Sequence, residues 1–554
     1  MTTPITDKPY KESSANYSFL MMPRYGLLIL FAVLAVAALI FQIWWLAVIS
    51  IALVALGIND MRQTRHAILR NYPIAGHIRF LFEAFRPEIR QYFLEDDKEK
   101  VPFSRQQRAL VYQRAKNLDS TDAFGTLANF YQEGHEWFVQ SQHSRKVSDS
   151  RFRITVGNEL CSQPYSLSVF NISAMSFGSL SANAVEALNR GAKEGGFAHD
   201  TGEGSISPYH LKYGGDLIWE IGTGYFGCRT EDGKFNPETF AQRAKLDSVK
   251  MIEIKISQGA KPGKGGMLPA SKITKEIAET RDIPMGKDCI SPAGHSAFHT
   301  PLELVAFWQQ LRELSGGKPV GFKLCIGQQW EFMAMVKAML ATDNYPDFIV
   351  VDGAEGGTGA APVEFMDHLG MPLTDGLLWV HNTLVGAGIR DKIKVGVSGK
   401  LISGFDVARM LAIGADWCNS ARGFMFAVGC IQSRSCHTNR CPTGVATQDP
   451  KRQQALVVAD KYLRVKNFHA NTLKSVADIV GAVGLEHPEE LKPYHLVRRQ
   501  ADGGTRLFSQ THTFLRKGSL LDGTADNAFY REMWDMADEH SFMPRHCPIN
   551  GSML

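Results

Sequence analysis

Between Tyr25 and Asp60 the chain reads YGLLILFAVLAVAALIFQIWWLAVISIALVALGIND, with no charged side chain before Asp60. One helix through this run would extend about 50 Å at 1.5 Å per residue, against a hydrocarbon core of about 30 Å. It is also too long for a signal-peptide core of about 7–15 residues. Two shorter helices, about 26–41 and 45–58, fit better and place Gln42, Trp44 and Trp45 near the far interface. Arg24 precedes the pair, and Arg62, Arg65 and Arg70 follow it. Basic residues on both flanks predict a transmembrane helical hairpin in the inner cell membrane, with the rest of the chain on the cytoplasmic side. A single tilted span is the alternative.

From about residue 165 the pattern changes to short β-branched runs, each ending in a glycine or polar cluster and followed by a helical stretch. The candidate strands end at LSVFNISAMS, GGFAHDTGEG, KMIEIKISQGAKPG, DCISPAGH, PVGFKLCIG, PDFIVVDGAEGGTG, KIKVGVSGK and ADWCNSARG. Eight strand-then-helix units predict a (βα)8 TIM barrel, whose strand ends converge on one face. An open doubly wound sheet would not explain polar residues at all eight ends. The predicted organisation is an N-terminal tail (1–24), transmembrane segments (25–59), a helical juxtamembrane region (60–150), the barrel with a cysteine cluster (151–450), and a helical C-terminal cap and tail (451–554). In the juxtamembrane region, RHAILRNYPIAGHIRFLFEAFRPEIRQYF has the arginine and apolar spacing of helices that lie on an anionic membrane or pack on the next domain.

Composition narrows the partners. Lys plus Arg total 60 against 56 for Asp plus Glu, which gives no reason to expect nucleic acid. Nine cysteines, an odd number and mostly scattered through apolar runs such as VGFKLCIG, read as free thiols in a reducing compartment. Cys547, beside His546, reads as a tail thiol rather than a ligand. The exception is GCIQSRSCHTNRCP, which gathers Cys430, Cys436 and Cys441. A structural zinc there would need a fourth ligand, and His437 is the neighbour to propose.

The last two strand ends offer Ser398 and Gly399, then Ala421 and Arg422, as a phosphate cradle of backbone N–H groups and a guanidinium. GGTGAAP lacks the spacing of a dinucleotide fingerprint, so no nicotinamide-binding domain is expected.

In order along the chain, ISAMSFGSLS, TGEG, IKISQGAKPGKGG, ISP, EGGTGAAP and GCIQSRSCHTNRCPTGVATQ resemble the FMN-binding synthase domain of glutamate synthases, in a membrane-anchored stand-alone form. The resemblance implies FMN and a 3Fe-4S cluster held by Cys430, Cys436 and Cys441, in keeping with three thiolates for three irons. It places Ala174, Met175 and Ser176 beside the flavin ring. Gln258 and Lys323 fall near its pyrimidine edge, with Gly356, Gly357 and Thr358 flanking it. The alternative for Lys323 is a snorkelling lysine. In the substrate pocket the resemblance assigns Glu203, Lys261 and Arg281, the two cations anchoring the carboxylates of 2-oxoglutarate. His295 and His299 are further pocket candidates.

This sequence departs from the family at GKGGM, where Lys264 and Met267 replace a glutamate and a substrate-contacting glutamine. A thioether cannot donate a hydrogen bond to a carboxylate. The glutaminase domain of full-length relatives is also not expected here. The leading expectation is an oxidoreductase acting on CH–NH2 groups, aminating 2-oxoglutarate to glutamate with ammonia or an amine. Ferredoxin or a reductase subunit would donate the electrons. The alternatives are a membrane-linked FMN oxidoreductase for another amino or 2-oxo acid, such as an N-substituted glutamate, and a non-catalytic electron-transfer subunit.

Overall fold

The computed structural model describes residues 25–96 and 102–546, so Arg24 and Cys547 lie outside the described residues. Contacts divide the chain into two compact units, Met1–Arg105 and Gln106–Leu554. Residues 106–150, grouped by the sequence with the helical juxtamembrane region, therefore belong with the barrel.

In the first unit, helices Gly26–Ile40 and Trp44–Arg62 pack on one another across a turn at Gln42, where φ is +56°. Close approach depends on Gly57, where an added Cβ would lie 2.7 Å from Leu28. Trp44–Arg62 is long and apolar enough to cross a bilayer; Gly26–Ile40, with 15 residues, is shorter. Both leave large apolar side chains exposed, among them Val33, Ile40, Trp44 and Trp45. Asp60 is buried and accepts from the Ile74 N–H at 3.0 Å, with His77 Nε2 at 2.9 Å. That anchors the short helices that follow, Ala67–Asn71 and Ala75–Ile89.

The second unit is built on a closed, all-parallel barrel of eight strands. They are β1 (Phe170–Ile172), β2 (His199–Asp200), β3 (Leu217–Ile221), β4 (Val249–Lys255), β5 (Val320–Leu324), β6 (Phe348–Asp352), β7 (Lys394–Ser398) and β8 (Trp417–Ser420). Strands follow chain order around the ring. β8 closes on β1 through Cys418 opposite Phe170 and Ser420 opposite Ile172. Closure rules out the open sheet. Strands covered on both faces read as near-continuous apolar runs, as in FIVVD and KVGVS.

One predicted strand is corrected. Cys289–Ile290, in DCISPAGH, pairs antiparallel with Met267–Leu268 outside the barrel. The third barrel strand is LIWEI, which the sequence reading passed over because Glu220 interrupts its apolar pattern. Gln258 accordingly follows the fourth strand, and Lys323 lies within the fifth.

The helix after β8, Arg422–Ala427, has only six residues. The 26-residue helix Val458–Val483 packs on Ala182–Gly195 and Gly404–Ile413, completing the outer ring. The purely helical readings of 60–150 and 451–554 also need correction. Glu136–Phe138, Leu496–Arg499 and Thr505–Leu507 form a small antiparallel sheet that ties the two flanks together.

Candidate active site

At the carboxyl end of β2 the turn Thr201–Gly202 presents Glu203, whose Oε2 accepts from Lys255 Nζ at 2.7 Å. Lys255 is the last residue of β4. Burial alone would raise the Glu203 carboxyl, but Lys255, Arg281 and Lys261 outweigh it and hold it at about 2. Glycine is required beside this carboxylate, since a Cβ on Gly266 would lie 1.9 Å from Glu203 Oε1. Lys261 is buried and donates to the Ala360 carbonyl at 3.2 Å; burial lowers its pKa against the pull of Glu203.

Arg281 ends helix Lys275–Arg281, whose first turn is capped by the Thr274 side chain. Its Nη2 donates to the Phe177 carbonyl at 2.9 Å and to Ser176 Oγ at 3.3 Å, and the guanidinium lies 5.3 Å from the Phe226 ring. Its Nε is buried without a hydrogen-bond partner. The structure thus brings Glu203, Lys261 and Arg281 together and adds Lys255, which the sequence reading missed. Glu253 and Lys255, two apart on a buried strand, share one side of it, and that repetition of charge was the available signal.

Of the two histidine candidates, His295 is buried with both ring nitrogens engaged, 2.8 Å from the Lys255 carbonyl and 3.0 Å from Tyr225 Oη. His299 is exposed at the start of helix Pro301–Leu314. Neither joins the charged group. Met267 is 47% exposed, and Lys264 lies over the Phe365 ring.

Ala174, Met175 and Ser176 follow β1 and run against Gly202, where an added Cβ would lie 2.7 Å from the Ser176 nitrogen. Gln258 follows β4, and its carbonyl accepts from the Lys261 N–H at 3.3 Å. Across the mouth, Ser398 Oγ donates to Asp352 Oδ1, while Asp352 Oδ2 accepts from the Gly259 N–H at 2.7 Å. Gly399 and Ala421 are the next residues at the ends of β7 and β8. Arg422 donates to the Glu355 carbonyl at 3.3 Å and lies on Gly357, where a Cβ would be 2.3 Å from Cζ. Gly356 and Thr358 flank that contact. Burial brings the guanidinium down to about 10, opposed by Asp352, Cys430 and Cys436.

Lys323 lies deeper, with its Nζ paired to Glu220, 3.0 Å from Glu253 and 4.0 Å from Asp200. Burial and mutual repulsion raise the Asp200 and Glu253 carboxyls, and the three acids raise Lys323 despite its burial. Sequence reasoning found the lysine but not its three partners on β2, β3 and β4.

Cys430, Cys436 and Cys441 come together just past Arg422–Ala427. Burial raises the Cys430 thiol to about 12, with added repulsion from Cys436 and Cys441. Cys441 is lowered instead, because N–H groups of Ala446, Thr443 and Val445 outweigh its burial. Left-handed Gln432, Arg434 and Asn439 wrap the segment, and Tyr112 Oη fastens the Cys430 carbonyl at 2.7 Å. His437 is exposed.

Residues 113–486 match the family model described as the conserved region in glutamate synthase. The glutamate synthase large subunit-like protein YerD of Bacillus subtilis (strain 168) is 35% identical over 508 residues, covering 84% of this chain and 96% of that protein. The archaeal-type NADPH glutamate synthase of Thermotoga neapolitana is 34% identical over 320 residues, 58% of this chain and 60% of its own length. A solved flavocytochrome b2 mutant with pyruvate bound is 15% identical with a TM-score of 0.41, over 76% of this chain and 88% of that one, a likeness too loose to bear on chemistry. The chain belongs to the glutamate synthase family.

Proposed function

We propose that this protein is a flavin and iron–sulfur oxidoreductase that aminates 2-oxoglutarate to glutamate. The observation that carries this reading is the gathering of Lys255, Lys261 and Arg281 around the ionised Glu203 at the mouth of the barrel. It is supported by the relatives named glutamate synthases. In balance, the 2-oxo acid and ammonia lose water to give an imine, which takes up two electrons and two protons to become the amino acid.

Lys261 and Arg281 bind the two carboxylates of the acid. The unpartnered Arg281 Nε is a buried donor that such an oxygen satisfies. Glu203 is anionic at neutral pH, so it accepts hydrogen bonds from the incoming nitrogen rather than releasing a proton. Lys255 Nζ, 2.7 Å from Glu203 Oε2, holds that carboxylate in place.

Arg422, Ser398, Gly399 and Ala421 form the cationic and polar end suited to the FMN phosphate. Ala174, Met175, Ser176, Gln258, Gly356, Gly357 and Thr358 line the side suited to its ring. Among the described residues, the three groups whose ligand atoms all lie within 4.8 Å of one another are Asp200, Glu220 and Glu253, not the cysteines. Three thiolates suit the three irons of a 3Fe-4S cluster, whereas a structural zinc would want a fourth ligand and the neighbouring His437 is exposed. Bound there, FMN supplies hydride chemistry and the cluster supplies single electrons, drawn from a ferredoxin or a reductase subunit.

Protein reduced by dithionite and given 2-oxoglutarate and ammonium is expected to form glutamate. Arg281→Ala should lose 2-oxoglutarate binding, while Lys264→Ala keeps it. Bound FMN and iron with no glutamate formed would overturn the substrate assignment.

Exposed Met267, in place of the family's glutamine, favours a second reading in which another amino or 2-oxo acid is used, such as an N-substituted glutamate. A substrate screen following flavin reoxidation separates the two. The gathered charges argue against a non-catalytic subunit, which would have no use for them. The exposed apolar sides of Gly26–Ile40 and Trp44–Arg62 support a transmembrane hairpin, with the barrel on the cytoplasmic side of the inner membrane. Retention in the membrane pellet after an alkaline carbonate wash is the outcome expected of it.

A further inference from the structure

We infer that Lys272 is a positioning residue that sets the reduction potential of the iron–sulfur cluster by holding a buried positive charge beside it. The inference rests on the cluster assignment proposed above.

Lys272 closes the short turn Ala270–Lys272 and is 3% exposed. Its Nζ donates to the Ser179 carbonyl at 2.9 Å. Burial lowers its ammonium to about 8 and Arg281 adds to that, while the sulfurs of Cys436 and Cys441 are the groups that oppose it. A buried ammonium without an anionic partner is costly, so its charge is answered from the cysteine side.

Both ends of this arrangement are tied down. Asn439, between Cys436 and Cys441, donates to the Ser271 carbonyl at 3.3 Å. On the Ser179 side, Gln448 Nε2 donates to the Gly178 and Leu180 carbonyls at 3.1 and 2.8 Å. The ammonium is therefore held at the cluster segment, not merely drawn there by charge.

When one electron enters the cluster from an external one-electron donor, no bond forms or breaks and the net negative charge rises by one. A fixed neighbouring cation favours the reduced form and raises the potential. Arg422 also faces Cys430 and Cys436, but it belongs to the phosphate end of the flavin site, so its removal would mix two effects. Lys272 separates them.

The test uses the full chain, purified without oxygen in detergent. Iron and flavin content and the paramagnetic resonance signal of the oxidised cluster are read first. A sample without iron overturns the cluster assignment and this inference with it. With the cluster present, a redox titration followed by the same signal is expected to give a lower midpoint for Lys272→Met and a native-like one for Lys272→Arg. The flavin midpoint should stay unchanged in both. A filled cluster with an unshifted midpoint in Lys272→Met overturns the inference alone. Should that variant fail to hold iron, Lys272→Gln against Lys272→Arg decides in the same way.

Discussion

Glu203 and Lys255 form the ion pair on which the candidate pocket is centred. The depressed carboxyl, at about 2 against an ordinary 4.5, means that its contribution is fully present above pH 4.5 and is lost as pH falls through about 2. A shift of that size corresponds to about 3 kcal/mol. Replacing Lys255 by Met leaves a buried carboxylate with only Lys261 and Arg281 to answer it. We expect Lys255→Met to lose about 3 kcal/mol at neutral pH. It should also show a flatter dependence on pH between 4.5 and 2, both read from chemical unfolding midpoints. Lys255→Arg should recover most of the loss. Glu203, Lys261 and Arg281 were legible through the resemblance of TGEG, QGAKPG and EIAETR to segments of the glutamate synthase family. Lys255 was hidden, since a charged residue inside an apolar strand looks like noise until the strand is known to be buried on both sides.

Among elements, the same masking explains the misplaced strand. LIWEI carries Glu220 as its fourth residue, which breaks its apolar run, although Lys323 on β5 pairs with that charge inside the barrel. Cys289–Ile290 gave a stronger local pattern and yet pairs only with Met267–Leu268. The other seven strands were readable from β-branched runs and from the glycine or polar clusters that close them, even where β4 carries Glu253 and Lys255. The glycines at the strand ends separate folding from binding. A Cβ on Gly259 would lie 1.8 Å from the Gly353 carbonyl oxygen, which is backbone and cannot swing aside. A Cβ on Gly357 would meet the Arg422 guanidinium at 2.3 Å, the far end of a flexible side chain. Gly259→Ala is therefore expected to cost several kcal/mol, about the upper range for backbone effects, and to yield little folded protein. Gly357→Ala should fold normally but bind FMN at least about tenfold more weakly, as an equilibrium flavin titration would show.

Across the barrel unit, histidines are used as neutral, buried packing groups, and that sets how the whole molecule responds to acid. Burial lowers His199 well below its ordinary 6.5, His210 and His469 to about 3, and His295 and His381 to about 4. They are spread from β2 to the long C-terminal helix, where His469 stacks on Phe197 at 3.8 Å. Near pH 5 all five would be largely protonated when unfolded and largely neutral when folded. Asp200 and Glu253 act in the opposite sense, because their raised carboxyls keep protons in the folded barrel that the unfolded chain releases. The lowered histidines outnumber these raised acids, so unfolding takes up protons on balance near pH 5 and stability rises with pH there. Unfolding midpoints measured from pH 7 down to 4.5 should fall steeply below pH 6.5, and His295→Gln and His469→Gln should each remove about one proton from the slope. A flat profile over that range would mean that these imidazoles are charged in the folded barrel, and their packing would then have to be reread as ion pairing.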